Sequence, residues 1–324
     1  LTDSGTVIKW GAAPSMGDPT PPAGLKNVRQ IAAGSFHAAA LRNDGTVAAW
    51  GANLDSVVTR TDGKTGVAAI SAGGTQTILL KNDSTVEVVG GKITMVDKVP
   101  AGLKSVVAVA SGGRHALALK ADGTVVGWGD TAGTAWKVPA DLDSVIAIAA
   151  GGYHSLALRR DGSVVCWGKN DKKQCDMPRV LVGVVGISAG NEHSLALRSD
   201  GDIYAWGSNS QGQSDVPVKS IPVSSLHMGR KAAAAVLSDG RLVAWGDLPL
   251  EPPPVQLPWR SISFGTTPHA LALDPQGKVH AWGASANGVS TVPESLGVAL
   301  QVEATRGVSI VLNADHRLVS WGDD

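Results

Sequence analysis

The chain has 324 residues, with 28 Lys plus Arg against 28 Asp plus Glu, 40 Gly and 10 Trp. The formal net charge of +0 excludes a general electrostatic attraction to nucleic acid or to an anionic membrane. No apolar run approaches the length of a membrane span, and abundant glycine without a collagen-like triplet is typical of many tight turns.

The first residues, Leu1–Gly5, have neither the pattern of a signal peptide nor an initiator Met. We therefore expect that the chain was processed or trimmed. The segment that follows, Thr6–Gly11, has the pattern of a strand and ends in Trp-Gly.

This Trp-Gly pair recurs along the chain at intervals of 37 to 40 residues, except for one interval of 78. The midpoint of the long interval is Val89-Gly90, which keeps the frame but replaces the Trp. Nine copies of the position therefore bound eight full periods, which indicates a repeat protein. The Trp residues of the series are Trp10, Trp50, Trp128, Trp167, Trp206, Trp245, Trp282 and Trp321.

Each period contains short β-compatible runs, as residues 145–168 illustrate. The first run ends at Ala150, the second is His154–Leu158 and the third is Ser163–Trp167. Asp161-Gly162 separates the last two, and Asp-Gly between two such runs predicts a hairpin because its turn needs positive φ. A polar loop that often ends in Val-Pro follows each Trp-Gly, and it leaves room for a short fourth strand.

A unit of this size cannot bury both faces of its sheet alone, so neighbouring units must stack. The period, strand count and turn placement predict an all-β fold, a single β-propeller domain over residues 1–324 with four-stranded blades and essentially no helix. The large side chain of each Trp-Gly is expected to fill the space between two blades.

Residues 187–213, from Ile187 to Gln213, closely resemble the repeat of the regulator of chromosome condensation family, and the resemblance extends over the whole chain. The short period and the Gly-Gln…Val-Pro ending look like the compact bacterial members, which include the propeller-type β-lactamase inhibitor protein. The resemblance implies a propeller that is usually seven-bladed. Eight periods favour eight blades here, with seven blades or a crop from a longer array as the alternatives.

The resemblance does not carry a function over directly. The activity in chromosome condensation uses charged surfaces, and this chain has no basic tail or patch. The plant UV-B photoreceptor subgroup depends on clustered Trp beside Arg, whereas the Trp residues here are spread one per unit.

Five histidines share one repeat position, which places them in five different blades, too far apart to bind one metal ion. We expect each to hydrogen-bond a neighbouring backbone group. They are His37, His115, His154, His193 and His269.

No pattern of a catalytic, metal or cofactor site is present. The chain lacks a nucleophile elbow, a zinc-protease motif and a phosphate loop, and the Asp-Gly turns lack the calcium-loop spacing. We therefore predict a protein that is not an enzyme and has no metal or cofactor. A carboxylate pair assembled from different blades stays open as an alternative.

The variable positions within the fixed frame are the candidate binding residues. A hairpin tip directly precedes each repeated His, and equivalent tips project from one face of a propeller, where binding residues concentrate on loops. The tips are Phe36, Thr75, Arg114, Tyr153, Glu192, Lys231, Pro268 and Gly307, and the predicted binding residues are Phe36, Arg114, Tyr153, Glu192 and Lys231.

Two further loop features could contact a partner. One is the Pro-rich segment Leu248–Pro254, for which a stiff connector is the favoured interpretation. The other is Trp136, outside the Trp-Gly frame, for which packing under its loop is at least as plausible as a contact.

Two cysteines, Cys166 and Cys175, lie across a strand and its return loop. Their spacing does not fit a zinc site, and they are either a disulfide or two free thiols. A disulfide would favour an oxidising compartment.

Three classes of function remain. The first, which we favour, is a binding protein that presents one propeller face to a protein partner, including an inhibitor of a secreted enzyme. The second is a structural or cell-surface assembly protein, and the third is an enzyme with acid and base from different blades. An extracellular or cell-surface location is favoured, and a cytoplasmic one stays open; the sequence predicts no oligomeric state.

Overall fold

The computed structural model describes residues 22, 25, 27–179, 181–217, 223–228, 232–239, 241–246, 259–264, 269–283, 288–304, 308–315 and 318–322. Within them lie eight antiparallel sheets of three strands, and the strand order in each sheet follows the chain. The surplus strand Thr6–Gly11 and the Pro-rich segment Leu248–Pro254 fall outside the described residues.

The strands of sheets 1 to 4 are β1 Val28–Ala33, β2 His37–Arg42, β3 Val47–Gly51, β4 Val67–Gly73, β5 Gln76–Lys81, β6 Val86–Gly90, β7 Val106–Ser111, β8 His115–Lys120, β9 Val125–Gly129, β10 Val145–Ala150, β11 His154–Arg159 and β12 Val164–Gly168. Those of sheets 5 to 8 are β13 Val184–Ala189, β14 His193–Arg198, β15 Ile203–Gly207, β16 Val223–Met228, β17 Ala232–Leu237, β18 Leu242–Gly246, β19 Ser261–Phe264, β20 His269–Leu273, β21 Val279–Gly283, β22 Ala299–Ala304, β23 Val308–Asn313 and β24 Leu318–Gly322.

Sheet 4 shows why the repeat folds in this way. Its middle strand, β11, is buried over five of its six residues, because it has a strand on either side and a sheet against each face. The turn to β12 uses Gly162 at a φ of +79°, and the Asp161 carboxylate accepts the Ser163 amide at 2.9 Å. The three strands predicted from the sequence are confirmed to within a residue at each end.

The eight sheets are the blades of a closed ring. An apolar cluster lies between each pair of consecutive blades, and the last cluster joins Ile310 and Leu312 of blade 8 to Ile31 and Ala38 of blade 1. The first strands of neighbouring blades also contact one another around the ring, so they form its inner wall. The described residues therefore form an all-β propeller with eight blades, as the repeat count predicts.

The Trp residues pack between blades, as expected for every described member of the Trp-Gly series. Trp167, for example, joins Leu117, Leu119 and Val125 of the preceding blade in one cluster. Five indole N–H groups also donate to a carbonyl of the loop before their own blade: Trp128 to Val96 at 2.7 Å, Trp167 to Ala135 at 2.8 Å, Trp206 to Gln174 at 2.8 Å, Trp245 to Gln213 at 3.0 Å and Trp321 to Val289 at 2.8 Å.

The expectation of a fourth strand is wrong. In the described residues, no further strand follows a Trp-Gly pair or its counterpart Val89-Gly90, and the segments there form turns or, after Trp50-Gly51, a short helix. In five of these segments a backbone carbonyl accepts the Trp indole of the next blade, as described above, and not an N–H of a neighbouring strand.

The expectation of essentially no helix holds for the described residues apart from short turns of helix, chiefly a 3₁₀ turn at Leu54–Ser56 that continues into the short helix α1, Val57–Thr61. Blade 2 is the one in which Val89 replaces the Trp. Val57 of α1 is fully buried and lies so close to Gly90 that a Cβ there would meet the Val57 Cβ at 2.9 Å. The inserted helix therefore fills space that an indole fills elsewhere.

Candidate functional site

One face of the ring collects both kinds of variable loop, and we call it the tip face. It consists of the hairpin tips that precede the repeated His and the residues that follow each Trp-Gly. The backbone N–H after Trp-Gly donates to the tip carbonyl of its own blade: Ala52 to Phe36 at 2.8 Å, Gly91 to Thr75 at 3.3 Å, Asp130 to Arg114 at 3.0 Å, Lys169 to Tyr153 at 2.9 Å and Ser208 to Glu192 at 2.8 Å.

The tips are held rigidly by their neighbours. Backbone hydrogen bonds of 3.1 Å join consecutive tips, from Gly113 to Gly151 and from Gly152 to Gly190. The approach is so close that a Cβ on Gly112 would lie 2.6 Å from the Gly151 carbonyl oxygen. Glycine is therefore required beside the tip, while the tip residue itself can vary without disturbing the scaffold.

Blades 3 to 5 give the tip face a charged section. The Arg114 Nε lies 2.8 Å from the Asp130 carboxylate, and the Lys169 ammonium lies 3.0 Å from that of Asp171. Lys169 also lies over the Tyr153 ring, 5.4 Å from its centroid. The hydrogen bond with Asp171 raises the pKa of Lys169, and the negative charge of Glu192 adds to that effect. Glu192 is therefore close enough to act electrostatically with this group.

Blades 1 and 2 give the tip face an apolar patch formed by Leu54, Ile93 and Met95, which are 38%, 73% and 47% exposed. The Ile93 N–H lies 3.4 Å from a carboxylate oxygen of Asp55, which joins the two loops that carry the patch. Phe36 is half-buried in the neighbouring tip. The patch therefore extends the surface that Phe36 was predicted to anchor.

The structure places four of the five predicted binding residues on the tip face, and Lys231 lies outside the described residues. Arg114, Tyr153 and Glu192 occupy three consecutive blades and belong to the charged section. Phe36 is on blade 1, three blades from Tyr153, so the two aromatic residues serve different sections. Pro268 and Gly307 also lie outside the described residues.

The predicted binding residues are all tips, although the loop after Trp-Gly also varies between units. They do not include the residues that surround the tips, namely Asp130, Lys169, Asp171 and the apolar patch. The signal for the first three was their place directly after Trp-Gly, whose backbone returns to the tip. For the patch, the sequence signals were Val89 in place of the Trp and the loop between Gly51 and Val67, which departs from the other loops of the repeat.

The repeated histidines are structural, but the expected backbone partner is wrong for three of them. The Nε2 atoms of His37, His115 and His154 lie 2.8, 2.8 and 2.9 Å from hydroxyls of the next blade. Ser155 donates its own proton to the Ala135 carbonyl at 2.8 Å, so His115 donates from Nε2 to Ser155. Burial lowers the pKa of these histidines to about 4, 3 and 4, respectively, so they stay neutral.

Cys166 and Cys175 form a disulfide with a Cα–Cα distance of 5.2 Å, which confirms that alternative. The bridge spans the loop that carries Lys169 and Asp171. The corresponding loop of blade 5 has the same hydrogen bond without cysteines. The backbone N–H of Ser214 donates to the Asn209 side-chain oxygen, as the backbone N–H of Cys175 donates to that of Asn170.

The remaining candidates are Trp136, a metal site and a membrane-spanning helix. Trp136 is half-buried, and its indole donates to the Gly133 carbonyl of its own loop at 3.0 Å. Among the described residues, no three His, Cys, Asp or Glu side chains are grouped for a metal ion. The described helices include none long and apolar enough to cross a membrane.

Comparison with known proteins identifies the repeat. Residues 28–56, 106–131, 145–174 and 184–213 match the Regulator of chromosome condensation (RCC1) repeat. Four segments of the propeller therefore carry this repeat, in blades 1, 3, 4 and 5. Among curated protein sequences, none matches this chain significantly.

Solved structures show the same fold at low identity. The ectodomain of the Physcomitrella patens receptor kinase CR4 has a TM-score of 0.63 at 20% identity, covering 85% of this chain and 78% of that one. Prp20p of Saccharomyces cerevisiae has 0.62 at 15%, covering 100% and 93%. The ectodomain of the Arabidopsis thaliana receptor kinase ACR4 has 0.58 at 19%, covering 92% and 96%.

Proposed function

We propose that this protein is a non-catalytic binding protein that presents its tip face to a protein partner. The observation that carries the proposal is the division of one rigid face into an apolar patch on blades 1 and 2 and a charged section on blades 3 to 5. Exposed apolar side chains next to arranged charges are typical of protein interfaces, whereas small-molecule sites are deeper and more enclosed.

Similar structures support a binding role in general terms. The Prp20p structure was described together with its binding properties to Gsp1p and histones, and yeast RCC1 (Prp20) has been solved bound to Kap60. These partners are those of the yeast protein. The shared element is a propeller that engages proteins, and the residues of this tip face decide which protein is engaged here.

We also propose an extracellular or cell-surface location, with a secreted enzyme among the classes of partner. A disulfide persists in an oxidising compartment, and Cys166 and Cys175 form one. Two of the similar structures are receptor ectodomains, which is consistent with that location.

The test is quantitative binding with a matched control. A partner is captured from the native host on the immobilised protein, identified by mass spectrometry and purified for calorimetry. Replacing Phe36 and Tyr153 together by Ala should weaken binding by at least about 2 kcal/mol, or roughly 30-fold, because aromatic anchors dominate interface energy.

The control is Val298→Ala, which truncates an exposed valine on the opposite face and should bind like the parent. If the Phe36/Tyr153 double variant binds as tightly as the parent, or if only the control loses affinity, the tip face is not the binding surface. Turnover of a substrate by the purified protein alone would favour the enzyme alternative.

A further inference from the structure

The face opposite the tips is built from the Asp-Gly turns and the starts of the first strands, and we call it the turn face. Its parts are locked together across blades. The N–H groups of Val106, Val145 and Val184 donate to the turns of the preceding blade, to Ser84, Gly123 and Gly162, at 2.9, 3.0 and 3.1 Å, respectively.

An aliphatic row crosses the turn face on blades 3 to 5. It consists of Val107, Ile146 and Val185, the second residues of β7, β10 and β13, which are 53%, 46% and 57% exposed. These three inner strands are neighbours that pack against one another, so equivalent residues follow in sequence around the rim. Val182, in the loop just before β13, is also exposed, at 63%.

The propeller itself does not need large aliphatic side chains at this position. Blades 1, 2 and 7 have Arg29, Ala68 and Arg260 there, and the same fold results. Single exposed apolar residues are common on protein surfaces, but a contiguous apolar group marks an interaction site. The row therefore points to a contact outside the chain.

The charges around the row indicate what that contact is. Lys120 with Asp122 and Arg198 with Asp200 form ion pairs of 2.8 Å on the flanking turns, so both signs alternate around the row. These turns carry no excess of positive charge, so they do not favour an anionic membrane or nucleic acid as the partner. Alternating charges are self-complementary when two copies are related by a two-fold axis.

We propose that the turn face is a homodimer interface in which the aliphatic rows of two copies pack across a two-fold axis. Ile146 is the middle residue of the row, so the axis passes beside it and brings Ile146 close to its counterpart in the second copy. The row forms the apolar centre, and the charged turns supply the polar rim that completes an interface of about 800 Å² per partner. Both tip faces then point away from the contact, and the dimer is bivalent.

The experiment is sedimentation velocity with the full chain across a wide concentration range. The parent should approach twice its 33.1 kDa as concentration rises. Ile146→Glu should raise the dimer dissociation constant at least about tenfold, because it places two carboxylates together at the centre of the contact. The control Ile93→Glu makes the same change at a more exposed isoleucine on the tip face and should leave the constant unchanged.

Two additions keep the test independent of folding defects. Val185→Gln is a milder change that should also weaken the dimer, and circular dichroism checks that each variant is folded. An equimolar mixture of Ile146→Glu and Ile146→Lys should associate again, because opposite charges then meet at the axis. A parent that stays monomeric up to about 100 μM, a concentration at which even weak contacts form, would overturn the proposal, as would equal effects of Ile146→Glu and Ile93→Glu.

Discussion

Replacing Trp167 with Ala tests the assignment of the Trp-Gly series to the seams between blades. Trp167 is 8% exposed and packs against Leu117, Leu119 and Val125 of the preceding blade. Removing a buried Trp side chain costs about 3–5 kcal/mol, through lost transfer energy and the cavity that remains. The lost indole hydrogen bond adds little, because the Ala135 carbonyl keeps the Ser155 hydroxyl as a donor at 2.8 Å.

The free energy of unfolding is measured by urea titration, followed by far-UV circular dichroism and by fluorescence, so that departure from two-state behaviour is visible. Trp136→Ala is the matched control, because Trp136 is only half-buried and hydrogen-bonds within its own loop, and it should cost about 1 kcal/mol. If Trp167→Ala loses no more stability than Trp136→Ala, the interblade assignment is refuted.

Three further predictions concern stability. Burial lowers the pKa of three histidines from 6.5 to about 3–4, so the unfolded state binds more protons between these values and the free energy of unfolding falls as pH drops through that window. Burial raises the pKa of Glu303 from 4.5 to about 7, so between these values the native state binds one more proton at this group and the loss is partly offset. Together these four groups contribute a slope near pH 5 of about 3 kcal/mol per pH unit. Urea titrations at several pH values should show Glu303→Gln steepening that slope to about 4, and a flat profile would contradict the neutral histidines. Gly151→Ala should lower the urea midpoint clearly, since its Cβ would lie 2.5 Å from the Gly190 carbonyl oxygen, while Gly133→Ala, whose nearest neighbour would be 3.7 Å away, should not; equal midpoints would show that the tips are not tightly packed. Replacing both cysteines by Ser should cost about 2–3 kcal/mol of stability by freeing a short loop of the unfolded chain, yet leave partner affinity unchanged in calorimetry, because the blade 5 loop holds the same shape without a bridge; a large loss of affinity would contradict this.

The sequence is sufficient to predict the blades because each signal is local and repeats. Alternation within short runs, Asp-Gly turns and a Trp every 39 residues or so each depend on a few neighbouring residues, and eight copies average out exceptions. The placement of the tips on one face follows from the same symmetry. The repeat alone is therefore enough to place Phe36, Arg114, Tyr153 and Glu192 together on that face.

What the sequence did not reveal depends on contacts between units. His115 meets a hydroxyl 40 residues away rather than backbone, because the middle strand of the next blade places Ser155 at the seam. The loop after β9 forms turns rather than a fourth strand, and its Ala135 carbonyl accepts the Trp167 indole and the Ser155 hydroxyl of the next blade. The filling of blade 2 by Val57 required knowing that α1 lies against Gly90.

The apolar patch was missed for a related reason. A comparison of repeats aligns positions that correspond, whereas Leu54 and Ile93 lie in loops that depart from the repeat. Their proximity is set by the contact between Asp55 and the Ile93 N–H, which joins consecutive loops. Departures from a repeat are thus as informative as its variable positions.

Hydrogen exchange with the purified partner tests the central claim, that the tip face binds a protein. Amide exchange is measured by mass spectrometry on the protein alone and in the complex. We predict slower exchange in segments 34–37, 52–56, 91–96, 151–154 and 169–173, with segments 104–107, 143–146 and 182–185 of the turn face unchanged on addition of partner. Protection confined to the turn face, with exchange at the tips unaltered, would contradict the account.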